Sequence, residues 1–235
     1  MHASTRIVST SQGPNQRAVR SVIPCVFVCA LAAACGSASA PPPLLDPADP
    51  YWTEPAPETF DVRFETTAGT FVLRVEREWS PHGADRFYNF ARSGYLNEQR
   101  FTRVVPDFIC QWGIHGDPAV AQAWRSATIP DDPVRVSNTR GRIAYAMTGP
   151  DTRTTQFYIS VVDNSRLDEQ GFSPFGEVIE GMAVVDRIYS GYGEDAGGGV
   201  RRGNQDPLFA GGNRYIDEQY PELDHVIGAT IMPPA

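Results

Sequence analysis

Residues 101–111, F-T-R-V-V-P-D-F-I-C-Q, decide how the rest of the chain is read, and Gln156-Phe157-Tyr158 answers them further on. In an extended segment side chains alternate between two faces, so Phe101, Arg103 and Val105 are expected to share one face until Pro106 interrupts the ladder. Beyond that break Phe108 and Cys110 are expected on one face, opposite Ile109 and Gln111. A guanidinium, an aromatic ring and an amide are thereby set beside apolar residues. Such a grouping costs desolvation free energy unless the polar heads open onto a pocket.

Outward from this stretch, residues 59–66 and 69–76 read as two strands of a hairpin around Thr67-Ala68-Gly69. Ser80-Pro81 supplies a cap and a proline at the first helical position, Ala84, Phe87, Tyr88 and Ala91 recur at helical spacing, and Gly94 ends the run. A helix over 81–93 follows. Residues 112–140, broken by Gly116-Asp117-Pro118 and Pro130-Asp131-Asp132-Pro133, read as a long loop. Short β-type runs come next at 142–147 and 156–162, then a strand at 175–179 and a helix at 182–189. The glycine-rich residues 191–203 lack G-K-[ST] and read as a mobile loop rather than a phosphate cradle. A brief helix at 215–220 and a closing strand at 225–231 complete the pattern. Short strands with two main helices predict a mainly β fold, a closed antiparallel β-barrel capped by those helices.

The chain has 235 residues, 41% of them hydrophobic, enough for one domain with a real core. Its formal net charge is -8, and removing the three arginines of an acid-free leader, Arg6, Arg17 and Arg20, lowers this by three to -11. A surface that acidic disfavours nucleic acid and electrostatic attachment to anionic lipid. Cys25, Cys29 and Cys35 fall in the leader, so Cys110 has no partner within the domain and reads as a buried apolar thiol. His115 and Asp117 invite a metal reading, but His2, His82 and His225 are scattered and give no second ligand pair at a usable spacing. No metal or cofactor is expected, and a turn held by Asp117 and Pro118 accounts for the pair.

Residues 21–34 form an apolar run of signal-peptide rather than membrane-spanning length. Leu31-Ala32-Ala33-Ala34-Cys35-Gly36-Ser37 resembles a bacterial lipoprotein signal, which implies lipidation of Cys35; Ala32 stands where leucine is usual. Simple secretion is the alternative, and both routes export the chain. The expected organisation is a signal peptide over 1–35, a Pro/Ala/Ser-rich tether over 36–57 and one domain over 58–235. Contact with a membrane is expected only through the lipid, at the cell envelope, facing the periplasm or the outside. Within the tether, Tyr51-Trp52 either docks on the domain or packs loosely.

The run F-x-R-x-x-P-x-F-x-x-Q, then Gly149-Pro150, Thr154-Thr155-Gln156-Phe157-Tyr158-Ile159, Leu167-Asp168 and Phe175-Gly176, resembles the cyclophilin family of peptidyl-prolyl isomerases. Order and spacing hold from Glu58 to Ile231. The resemblance implies a monomer acting on proline-containing polypeptides, here exported ones whose folding it assists. An X-Pro bond has a small trans preference but a rotation barrier of about 18–20 kcal/mol. Lowering it requires a site that fits the twisted bond better than either planar form, not a nucleophile or a metal. Twisting makes the prolyl nitrogen pyramidal and gives it a lone pair, which a guanidinium can stabilise; by resemblance that guanidinium is Arg103. By the same resemblance Gln111 is expected to position Arg103 or the substrate carbonyl. The resemblance likewise implies that Phe108, Ile109, Tyr158 and Leu167 form the proline socket and that Gln156, with the backbone of Ala146, Met147 and Thr148, aligns the peptide.

Four positions depart from the family pattern. Tyr158 stands for phenylalanine, which implies a shallower or wetter pocket, because its hydroxyl needs a partner or water. Met147 replaces an asparagine, and Phe172, in the peptide-binding set, replaces a common histidine. Arg166 replaces a tryptophan of eukaryotic members, implying weak binding of cyclosporin. Tyr158, Met147 and Arg166 favour a rival reading, a catalytically weak module that holds proline-containing segments; Arg103, Phe108, Gln111 and Gln156 favour the enzyme. A third reading, an exported barrel for an apolar ligand, leaves Arg103 and Gln111 unexplained.

Overall fold

Strand β1 (Thr59–Thr66) buries Phe60, Val62, Phe64 and Thr66 and leaves the alternate residues more open, as a period of two requires. It pairs with β2 (Gly69–Glu76) from Thr59 opposite Glu76 to Thr66 opposite Gly69. The computed structural model describes residues 41–197 and 204–233. Cys35 and the rest of the leader lie outside the described residues, as do residues 198–203 of the glycine-rich stretch.

Six further strands follow: β3 (Arg103–Val105), β4 (Ile109–Trp112), β5 (Arg142–Tyr145), β6 (Phe157–Ser160), β7 (Pro174–Glu180) and β8 (Val226–Ile231). All join one antiparallel sheet in the order β3-β4-β6-β5-β7-β2-β1-β8. The sheet curls around an aromatic core in which Phe64 stacks on Phe71 and Trp112 meets Phe64, Phe101 and Phe157. β3 and β8, the two ends of the order, are not laddered to each other. The chain just ahead of each is joined by an isolated bridge between Arg100 and His225 and by Val226 N–H donating to the Gln99 carbonyl at 2.9 Å.

The expected first helix is found as α1 (Pro81–Ser93), ended by Gly94 in the left-handed conformation. Its cap is not the expected one. Ser80 makes no capping bond; the Asp132 carboxylate, brought in from the long loop, accepts from the His82 and Gly83 N–H groups at 3.2 and 3.1 Å. The loop itself contains a short helix, α2 (Pro118–Trp124), with Asp117 Oδ1 accepting from Ala119 N–H at 2.7 Å. Asp117 and Pro118 thus start a helix rather than merely holding a turn.

The second main helix is not where it was expected. Over 182–189 only a single turn, α3 (Met182–Val185), is helical, while α4 (Asp206–Gln219) is as long as α1 and far longer than the brief helix read at 215–220. Gly211-Gly212 masks its first half in sequence. Gly212, at φ 57°, kinks the helix where a Cβ would stand 2.2 Å from the Gly116 carbonyl. Leu208, Phe209 and Ile216 of α4 pack against Ala121 of α2.

Of the two arrangements open to Tyr51-Trp52, docking is the one found. Trp52 lies edge-on to Trp124 at 4.7 Å, its carbonyl accepts from Asn89 Nδ2 at 3.1 Å, and Arg92 stacks over Tyr51 at 3.8 Å. Trp124 Nε1 donates to the Leu44 carbonyl at 2.8 Å. From Pro41 onward the segment read as a spacer belongs to the packed unit.

Candidate active site

Register across three strands places Arg103 opposite Gln111, and Gln111 opposite Tyr158. Directly opposed residues share a face of the sheet, so guanidinium, amide and phenol ring stand side by side. Arg103 Nη1 donates to Gln111 Oε1 at 2.9 Å, and its guanidinium lies 5.6 Å from the Phe108 ring centre.

Two neighbours are not on the faces that simple alternation gave them. Phe101 belongs to the core, against Trp112, because β3 begins only at Arg103. Phe108 joins the site rather than the face of Cys110. Asp107 takes φ 57° in a turn closed by Phe108 N–H on the Val105 carbonyl, so alternation restarts at Ile109. Cys110 is fully buried in the core, and burial pushes its thiol far up from the usual value.

The socket is a small apolar cluster apart from the main core. Ile109, Ala144, Tyr158 and Leu167 are buried in it, with Phe108, Ala146 and Phe172 packed at its margin. The Tyr158 hydroxyl donates to Asn138 Oδ1 at 2.8 Å. Burial, and secondarily the charge of Asp168, push this phenol well above its ordinary pKa and keep it protonated. Burial alone would raise Asp168. Hydrogen bonds from the Ser137 hydroxyl and the Asn138 amide and N–H outweigh it and hold the carboxyl below its usual range.

A chain of amides runs along the other wall. Gln111 Nε2 donates to Gln156 Oε1 at 3.1 Å, Gln156 Nε2 to Gln205 Oε1 at 3.0 Å, and Gln205 Nε2 to the Gly197 carbonyl at 2.8 Å. Ala146 N–H is committed to the Gln156 carbonyl and Thr148 N–H to Thr152 Oγ1. Any grip on a peptide from this segment must use its other groups.

All eleven residues singled out in the sequence, from Arg103 to Phe172, line one open cleft of about 1180 Å³. Sequence reasoning missed Asn138, Gln205 and Glu194. Glu194 accepts from Arg103 Nη2 at 2.5 Å and lies in a glycine-rich stretch whose composition signals only a loop. Asn138 and Gln205 carry no local pattern; only the need of Tyr158 for a partner hinted at the first.

Residues 61–207 match the family described as cyclophilin type peptidyl-prolyl cis-trans isomerase/CLD. The chain belongs to the cyclophilin family. Among cyclophilin relatives it is 33% identical over 132 residues to the peptidyl-prolyl cis-trans isomerase of Acinetobacter baylyi, covering 54% of this chain and 70% of that protein. It is 34% identical over 136 residues to peptidyl-prolyl cis-trans isomerase B of Escherichia coli, covering 54% and 82%. A solved cyclophilin-type isomerase of Cryptosporidium parvum superposes with a TM-score of 0.53 at 18% identity, over 75% of this chain and 99% of that one, and carries the fold alone.

Proposed function

We propose that this cyclophilin catalyses cis–trans isomerisation of X-Pro bonds in exported polypeptides, as a monomer attached to the cell envelope by a lipid on Cys35. The observation that carries the catalytic part is a guanidinium fixed at the edge of an apolar socket. Arg103 is only 12% exposed, bonded to Gln111, and adjacent to Phe108. A proline ring in the Ile109–Tyr158–Leu167 cluster would gain on the order of 2 kcal/mol from burial. The twisting nitrogen would then lie within reach of a donor whose charge is permanent. The interaction strengthens as the lone pair develops, so it favours the transition state over both planar forms.

Gln111 orients Arg103, and Gln156 extends the polar wall along which the peptide runs. The bridge between Arg100 and His225 supports closure of the curled sheet into the expected barrel. Export and lipidation rest on the apolar run before Cys35. Among the described residues no helix is long and apolar enough to cross a membrane.

Arg103→Ala is expected to lower the catalytic constant ~100-fold in a protease-coupled or NMR exchange assay on a proline peptide; an unchanged constant would refute the mechanism. Mass spectrometry of the mature N-terminus tests the anchor, with a diacylglyceryl group on Cys35 as the expected product and a lipid-free cleaved terminus as the contrary one.

A further inference from the structure

Arg103 is held from two sides, and only one hold comes from the sheet. Nη1 donates to Gln111 Oε1 at 2.9 Å, and Nη2 donates to Glu194 Oε1 at 2.5 Å. Glu194 lies between α3 and α4 and reaches the cleft from outside the strands. A carboxylate in this position can do one of two things. It can plug the site by occupying a donor that substrate needs, or it can clamp the guanidinium in a working orientation.

The anchoring of its segment decides between them. Tyr192 packs edge-on between Tyr189 and Tyr220, and the Tyr220 hydroxyl donates to the Asp195 carbonyl at 3.1 Å. Ala196 is buried, and at Gly197 a Cβ would stand 2.2 Å from the Thr102 carbonyl, so the backbone is pressed against the residue preceding Arg103. Gln205 ties the Gly197 carbonyl to Gln156 across the site. None of these contacts uses the Arg103 guanidinium; at Gly197 only the Arg103 Cβ is near. The carboxylate is therefore delivered by a scaffold rather than drawn in by its partner.

A plug would have to leave, yet a neutral prolyl carbonyl brings no negative charge to replace the carboxylate it would displace from the guanidinium. A clamp has no need to leave. The guanidinium carries five N–H donors in one rigid plane, and the bonds to Gln111 and Glu194 use two of them. Donors remain for a substrate while the plane stays fixed.

We propose that Glu194 is a positioning residue of the isomerase site, a fixed carboxylate that sets the plane of the Arg103 guanidinium from the side opposite Gln111. The proposal rests on the assignment of Arg103 as the catalytic donor.

Its test measures kcat and KM by NMR exchange on a tetrapeptide with one X-Pro bond, using the full-length chain and its Glu194→Ala, Glu194→Gln and Arg103→Ala variants. Glu194→Ala is expected to lower kcat tenfold or more, toward the ~100-fold that a misplacement of about 1 Å costs, with KM unchanged. Glu194→Gln keeps the acceptor and is expected to restore most of the loss. An unchanged or higher kcat with a lower KM in Glu194→Ala identifies a plug and overturns the proposal, as does an equal loss in both Glu194 variants. If Arg103→Ala loses activity and Glu194→Ala does not, only the role of Glu194 fails. If Arg103→Ala stays active, the catalytic assignment fails and the clamp with it.

Discussion

Asn138 Oδ1 accepts the Tyr158 hydroxyl at 2.8 Å, while Asn138 Nδ2 donates to Asp168 Oδ1 at 2.7 Å and to the Phe172 carbonyl at 2.8 Å. Both residues are buried, at 2% exposure for Tyr158 and 0% for Asn138. The hydroxyl expected to make the socket wet is instead satisfied by protein. Tyr158→Phe strands the Asn138 oxygen and is expected to cost about 1–2 kcal/mol of stability. Asn138→Ala should cost more, because it abandons Tyr158, Asp168 and the Phe172 carbonyl together. Denaturant unfolding of both variants checks the order.

Asp132 does for α1 what Ser80 was expected to do, and it does so while paired with an arginine of 1% exposure. Its carboxylate accepts from the Ser80 hydroxyl at 2.6 Å and from Arg153 Nη2 at 3.0 Å. Removing it leaves the buried Arg153 guanidinium with Asp131, 3.2 Å from Nε, as its remaining counterion, so Asp132→Ala is expected to cost about 3 kcal/mol, the low end for a broken buried pair. Burial by itself would raise the Asp132 carboxyl. The bonds from Ser80, the His82 N–H and Arg153 outweigh it and hold the carboxyl below the usual carboxylate range. A carboxyl depressed in the folded state contributes stability that is complete above the unfolded pKa and lost as pH falls through the folded one. Unfolding free energy should therefore fall in acid below about pH 4, with a shallower slope in Asp132→Asn.

Local periodicity made the hairpin of β1 and β2 and the body of α1 legible, because each buries one face of a regular element against the core. α2 and the first half of α4 were not legible. Pro118 read as a breaker and only 215–220 as a helix, yet here the proline sits at a helix start and Gly212 occupies a kink pressed on the Gly116 carbonyl. The strand side of the cleft followed from spacing and resemblance, since Arg103, Gln111 and Tyr158 are opposed in register. The loop side did not. Glu194 reaches Arg103 from 91 residues further along, and no local pattern encodes that distance.

Trp52 provides a test of the docked segment ahead of β1. It contacts Trp124 and Phe90 edge-on and donates through Nε1 to the Asp46 carbonyl at 2.9 Å. Because it is half-buried rather than enclosed, Trp52→Ala is expected to cost about 2 kcal/mol, below the 3–5 typical of a core aromatic. A loosely hung aromatic would cost nearly nothing. Thermal unfolding separates the two.

Arg166 sets the apolar reach of the cleft at its rim. Its guanidinium lies 4.9 Å from the centre of the Phe108 ring, where the resemblance puts a tryptophan in eukaryotic members. An exposed cation over a ring contributes about 0.5–1 kcal/mol, but it presents a hydrated head where an indole would present a flat apolar face. Cyclosporin should therefore bind weakly. Arg166→Trp adds roughly 100 Å² of apolar surface, worth about 2.5 kcal/mol, and should tighten binding by tens of fold. Calorimetry on the two proteins decides: tight binding by the unsubstituted chain, or no gain in Arg166→Trp, would show that this rim position does not control the ligand.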